Sequence, residues 1–138
     1  MIALLVVTAG RGDYLDRTLD SFENKGSGVD GPRVIVDDSA DPAYRERLSA
    51  YRDRYTLVHH GAKLGLSGSV RTGWDWLSQR DWTHVFHLEA DFTFPHPVNA
   101  ADLAASCDAH ELAQLVLMRQ PCNPQETYAG GLVQAHPE

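Results

Sequence analysis

The apolar residues change rhythm along the chain. Ile2, Ala3, Leu4, Leu5, Val6 and Val7 form an unbroken apolar run, which suits a parallel strand covered on both faces. Leu15, Leu19 and Phe22 then recur at i, i+4 and i+7, one face of a helix, with Asp13 placed to cap it. Residues 25–32 hold three glycines and read as a loop. Arg33, Val34, Ile35 and Val36 predict a second strand, and Asp41-Pro42 reads as the N-cap and first residue of a second helix. Tyr44, Leu48 and Tyr51 form its inner stripe. A third strand is expected over 55–59. After a glycine-rich loop, Val70, Trp74 and Leu77 predict a third helix opening near Ser67 or Ser69. Residues 82–88 read as a fourth strand. Asn99 or Asp102 opens a fourth helix, with Leu103 and Cys107 on its inner face. Residues 112–118 are expected to form a fifth strand, and 122–138 show loop signals alone.

Strand and helix alternating at this pace predict an α/β fold, a Rossmann-like three-layer sandwich with a mostly parallel sheet. In such sheets ligands bind beyond the carboxyl ends of the strands. The chain's suggestive polar residues fall at those ends: Thr8 after the first strand, Asp37 and Asp38 after the second, Glu89 and Asp91 after the fourth.

Glu89 and Asp91 carry the sharpest chemistry. Side chains alternate along a strand, so the two carboxylates point the same way, with His87 beside them. Two adjacent carboxylates repel each other and are costly to bury unpaired. A divalent cation relieves both problems. Oxygen ligands of this kind suit Mg2+ or Mn2+, which commonly also hold substrate phosphates. For His87 two roles stand open, a third ligand or a histidine packed beneath the pair. The remaining histidines diverge: His84 and His87 lie on opposite strand faces, as do His59 and His60.

Three further stretches are candidates for a nucleotide. The Gly10-Arg11-Gly12 turn lets backbone and the Arg11 guanidinium approach a base or phosphate; position 15 is leucine, so the G-x-G-x-x-G dinucleotide fingerprint is not formed. Asp37 and Asp38 either cap the next helix or accept hydrogen bonds from a nucleoside. Residues 63–73 combine Lys63, three glycines, two serines and Arg71 before a helix, a setting for phosphate. No G-K-[ST] triplet closes it, so it is not a P-loop.

The bulk numbers bound this picture. The chain of 138 residues is read as one domain. Its net charge of -7 and pI near 5.4 argue against a nucleic-acid or anionic-membrane binder. No apolar run approaches the ~20 residues of a membrane helix. The start lacks the positive region of a signal peptide. Cys107 and Cys122, the two cysteines, sit in no ligand spacing and read as thiols of a cytosolic protein.

Together these motifs resemble the nucleotide-binding half of an A-type (GT-A) glycosyltransferase of the family 2 kind, over roughly residues 2–92. That family opens with a strand ending in a Thr-containing turn, as Val6-Val7-Thr8-Ala9 does. Val36-Asp37-Asp38-Ser39-Ala40-Asp41 is similar to its V-D-D-x-S-x-D, one residue short. Residues 63–73 resemble its N-x-G-x-[SA]-x-A-R-N-x-G stretch, with Lys63 and Thr72 in place of the asparagines. Leu88-Glu89-Ala90-Asp91 looks like its D-x-D motif, with glutamate first.

The resemblance implies a metal-dependent enzyme that binds a nucleotide-diphosphate sugar, commonly a UDP-sugar. The sugar would pass with inversion to a sugar, lipid, protein or small-molecule acceptor. It places Thr8 and Asp38 at the nucleobase and Arg71 near the diphosphate. Asp91 becomes the main metal ligand, and Glu89 contacts ribose or metal-bound water. Ala9, Arg11, Asp37, Lys63 and Ala90 complete the expected nucleotide-sugar site. Little chain follows Asp91, so residues 1–138 are expected to end before or within the acceptor half. Two other functions compete. A sugar-1-phosphate nucleotidyltransferase shares the sheet and would release pyrophosphate from a nucleoside triphosphate. A non-catalytic module would bind the donor without turnover. A receiver domain is set aside, because Thr8-Ala9 stands where it needs an acidic pair.

Overall fold

In the computed structural model, which describes residues 1–117, the first strand, β1 (Ile2–Thr8), is buried at every position. It lies inside a four-stranded parallel sheet. Helix α1 (Gly12–Lys25) leads through a two-residue strand, β2 (Gly26–Ser27), to β3 (Arg33–Asp37). Helix α2 (Pro42–Leu48) and a 3-10 turn, Ser49–Tyr51, lead to β4 (Thr56–His59). Helix α3 (Gly65–Leu77) returns the chain to β5 (His84–Glu89). A short β6 (Val98–Asn99) and α4 (Ala100–Ala109) follow.

The strand order is β4-β3-β1-β5, every pair parallel. The chain steps outward from β1 to β3 to β4, then crosses back to β5 on the other side of β1. Right-handed crossovers in opposite directions place their helices on opposite faces. Accordingly Leu4, Val6 and Ile35 pack with Leu15, Leu19 and Phe22 of α1 and Tyr44 and Leu48 of α2. Ala3, Leu5, Val7, Val34 and Val36 pack with Leu77 of α3. This alternation is why the run reads as continuously apolar: both faces of β1 are interior. Each buried valine, leucine or isoleucine side chain among them contributes about 1.5–3 kcal/mol.

Asp41 caps α2 as expected, accepting from the Ala43 N–H at 2.9 Å, and Asn99 caps α4 through Ala101 N–H at 3.0 Å. Four expectations need correction. Asp13 lies inside the first turn of α1, where Arg11 holds the N-cap position without a side-chain bond. Tyr51 belongs to the 3-10 turn, not to α2. Helix α3 opens at Gly65, before Ser67. Residues 112–117 form no strand; Leu112, Val116 and Leu117 are exposed, so their apolar run has no sheet to cover. Met118 and the loop expected over 122–138, with Cys122, lie outside the described residues. Among the described residues no helix is long and apolar enough to cross a membrane.

Candidate nucleotide-diphosphate site

The chain reverses its direction of travel across the sheet between β1 and β5, and their carboxyl ends diverge into separate loops. That is the position where open α/β sheets hold ligands. A cleft of about 200 Å3 lies there, lined by Val7, Thr8, Ala9, Arg11, Asp38, Leu66, Ser69, Glu89, Ala90 and Asp91. A wider hollow of about 640 Å3, partly alanine-lined, lies at the amino end of the sheet. The loops bearing the paired carboxylates do not reach it, so the smaller cleft is the candidate site.

Parallel pairing sets the geometry. Val7 lies opposite Glu89 and Thr8 opposite Asp37, so three strand ends meet in one line. The Ala90 N–H donates to the Val7 carbonyl at 3.1 Å, extending the ladder past Glu89, and the Asp38 N–H donates to the Thr8 carbonyl at 2.8 Å. Beyond these bonds the chain turns and Asp91 is exposed. Its Oδ2 accepts from Arg11 Nη2 at 2.9 Å. Both side chains are solvent-accessible, 59% for Arg11 and 36% for Asp91, and both line the cleft.

Asp38 is bound differently. Its side chain is buried, and Oδ1 accepts from the Leu64 N–H at 2.7 Å while Oδ2 accepts from the Gly65 N–H at 2.8 Å. Nδ1 of His60 lies 2.9 Å from Oδ1, and Nε2 of the same ring lies 2.9 Å from the Thr72 hydroxyl. Burial pushes the Asp38 carboxyl up, but the Leu64 amide, His60 and the Gly65 amide together hold it below the ordinary carboxylate range. Asp38 therefore ties the start of α3 to the sheet. Asp37 is fully buried; it accepts from the Ser39 N–H at 2.8 Å and lies 3.1 Å from Nδ1 of His59. The turn that follows, one residue shorter than the family pattern, puts Ala40 at φ 54°.

Thr8 is buried, with its hydroxyl 2.6 Å from that of Tyr44. Of the residues expected at the site, Thr8, Ala9, Arg11, Asp38, Glu89, Ala90 and Asp91 come together. Asp37 sits just behind them. Lys63 is exposed outside the cleft, and Arg71 is 83% exposed and pairs with Asp75, one turn along its own helix. His87 is exposed rather than packed beneath the acids. It forms no trio with Glu89 and Asp91: among the described residues no group of three or more His, Cys, Asp or Glu is arranged around a metal position. Leu66, Ser69, His60 and Tyr44 were not anticipated. Leu66 and Ser69 do fall inside the 63–73 stretch read as a setting for phosphate, Tyr44 was read only as part of the inner stripe of α2, and His60 showed only as a polar residue immediately after a predicted strand.

The donor set still suits a hard divalent cation. Mg2+ or Mn2+ at phosphate sites takes one or two carboxylates and fills its other positions with water and phosphate oxygens. Glu89 and Asp91 supply that number, on an open cleft.

Solved structures share this architecture. The mannosyltransferase PcManGT from Pyrobaculum calidifontis, in complex with GDP-Man and Mn2+, superposes with a TM-score of 0.60 at 18% identity, over 93% of this chain and 37% of that one. S. aureus TarS 1-349 matches with a TM-score of 0.54 at 18% identity, over 86% and 38%. Its complex with UDP-GlcNAc gives 0.55 at 19%, over 88% and 38%. The chain has a GT-A-like glycosyltransferase fold. It spans under two fifths of the length of these proteins. No protein-family model matches it, and no curated protein does.

Proposed function

We propose that the cleft binds the diphosphate of a nucleotide sugar through a divalent metal, and that this GT-A-like chain is the donor-binding part of a glycosyltransferase. The observation that carries this reading is the pair Glu89 and Asp91 on the cleft where β1 and β5 end. A Mn2+ or Mg2+ ion held there by Asp91, with Glu89 beside it, would neutralise the diphosphate and stabilise the departing nucleoside diphosphate as a Lewis acid. The chain's own residues do the rest. Thr8 and Ala9 present the end of β1 to the nucleoside, Asp38 fixes the opposite wall, and Arg11 brings a cation to the phosphates. Transfer to an acceptor hydroxyl by direct displacement would invert the anomeric centre.

A uridine diphosphate sugar is the proposed donor. The family resemblance supports it, as does TarS, solved with UDP-GlcNAc; guanosine is the competing base, since PcManGT was solved with GDP-Man and Mn2+. Titration calorimetry of UDP and GDP, each with and without Mn2+, tests the reading. We expect Mn2+-dependent binding of UDP that is lost in Asp91→Asn. Equal affinity in wild type and Asp91→Asn would refute the assignment. Pyrophosphate release from a nucleoside triphosphate and sugar 1-phosphate would point to the nucleotidyltransferase instead.

A further inference from the structure

The cation nearest the acidic pair belongs to the protein. Arg11 Nη2 donates to Asp91 Oδ2 at 2.9 Å, and among the described residues little else holds the guanidinium. Arg11 occupies the N-cap position of α1 but makes no capping bond. It follows Gly10, whose φ of 88° gives the turn a backbone that side chains rarely adopt. Among the described residues its other partner is the exposed Tyr14 ring, 5.1 Å from the guanidinium carbon. An exposed ion pair of this kind is a weak tie.

We propose that Arg11 is a resident counterion for Asp91, one that competes with the divalent metal and passes to the diphosphate when nucleotide and metal arrive together. This rests on the reading that Asp91 holds the metal. Without ligand, Arg11 neutralises one of two neighbouring acids. A metal ion arriving alone must displace it, leaving two cations facing each other across the cleft. A diphosphate changes the balance, because its oxygens offer the displaced guanidinium a bidentate partner. Metal and nucleotide then bind with positive coupling, and coupling between sites is reciprocal, commonly 5–150-fold. Asp91 is thus shielded from free cations and opened by the metal–nucleotide pair.

The test measures Mn2+ binding by electron paramagnetic resonance, with and without UDP, in wild type, Arg11→Gln and Arg11→Lys. In Arg11→Gln, Mn2+ alone should bind about threefold or more tighter, the size of effect expected from removing a weak exposed ion pair. UDP should bind more weakly, and the coupling between the two should shrink. Arg11→Lys, which keeps the charge and loses the fork, should stay near wild type for Mn2+ alone. Unchanged or weaker Mn2+ binding in Arg11→Gln, with wild type still binding Mn2+ and UDP together, overturns the exchange and leaves the site standing. No Mn2+-dependent UDP binding in wild type overturns both.

Discussion

The phenol oxygen of Tyr44 lies 2.6 Å from the hydroxyl oxygen of Thr8, linking α2 to the last residue of β1 across a buried boundary. Burial raises the Tyr44 pKa above the ordinary tyrosine value, with the Thr8 bond pulling the other way, so the phenol is neutral at pH 7. Tyr44→Phe leaves the Thr8 hydroxyl buried beside a hydrocarbon ring, which costs about 1–3 kcal/mol. Thr8→Val strands the phenol to a similar extent. The double variant removes both polar groups and should recover a large part of the loss. Urea denaturation of the four proteins checks this. Additive losses would mean that the two hydroxyls are not coupled.

Asp38 links acid stability to the site. Its carboxyl titrates below the ordinary value in the folded chain. A depressed folded value stabilises the protein at pH above the unfolded value, near 3.9, and that contribution is lost as pH falls through the folded value. Asp16 adds to the same limb: burial pushes its carboxyl up, but Tyr51 and Arg47 together hold it below the ordinary carboxylate range. Asp38→Asn should therefore be clearly less stable than wild type at pH 7, and the difference should narrow as pH drops below about 4. Thermal melts across pH 2.5 to 7 measure it on an order-of-magnitude scale. A constant difference would mean that neutral hydrogen bonding, not charge, holds Leu64, Gly65 and His60.

Thr18 presents the opposite case. It is fully buried on α1, and its hydroxyl has no hydrogen-bond partner among the described residues. A buried donor without a partner carries a desolvation penalty of about 1–3 kcal/mol. Valine has the same branched shape without the hydroxyl. Thr18→Val should raise the unfolding free energy by up to about 1 kcal/mol, read from the midpoint of urea denaturation. A clear loss of stability would reveal a partner for this hydroxyl.

What the sequence disclosed follows from which physical signals are local. The unbroken run at Ile2–Val7 announced a doubly covered strand, and Asp41-Pro42 and Asn99 announced caps, because those effects act within a few residues. β2 and β6 are two residues each, too short for any period to show. Glu89 was legible because it ends β5, whereas Asp91 lies in the turn beyond the strand, where alternation does not set its side. Lys63 and Arg71 were not legible, because a motif's spacing does not say where its helix begins. With α3 starting at Gly65, Leu66 and Ser69 share the cleft-facing side, and Arg71, two residues beyond Ser69, is turned about 200° away. The engagement of Asp38 with Leu64 and Gly65 joins residues far apart in the chain, and no local pattern encodes it.

Gly73 closes that same motif, and its reason is steric. A Cβ there would collide with the side chain of Leu5, lying 2.9 Å from Cδ2 and closer still to Cδ1. Leu5 is fully buried in the central strand and has little room to move. Alanine would gain about 1 kcal/mol of helix propensity but incur about 1–3 kcal/mol of overpacking. Gly73→Ala should therefore lower stability or leave it level, while pushing α3 away from β1. Because α3 carries Leu66 and Ser69 to the cleft wall, UDP affinity should fall by more than stability does. Calorimetry and urea denaturation of the same variant separate the two effects. Unchanged affinity together with raised stability would mean that Leu5 repacks and that Gly73 does not set the position of the cleft wall.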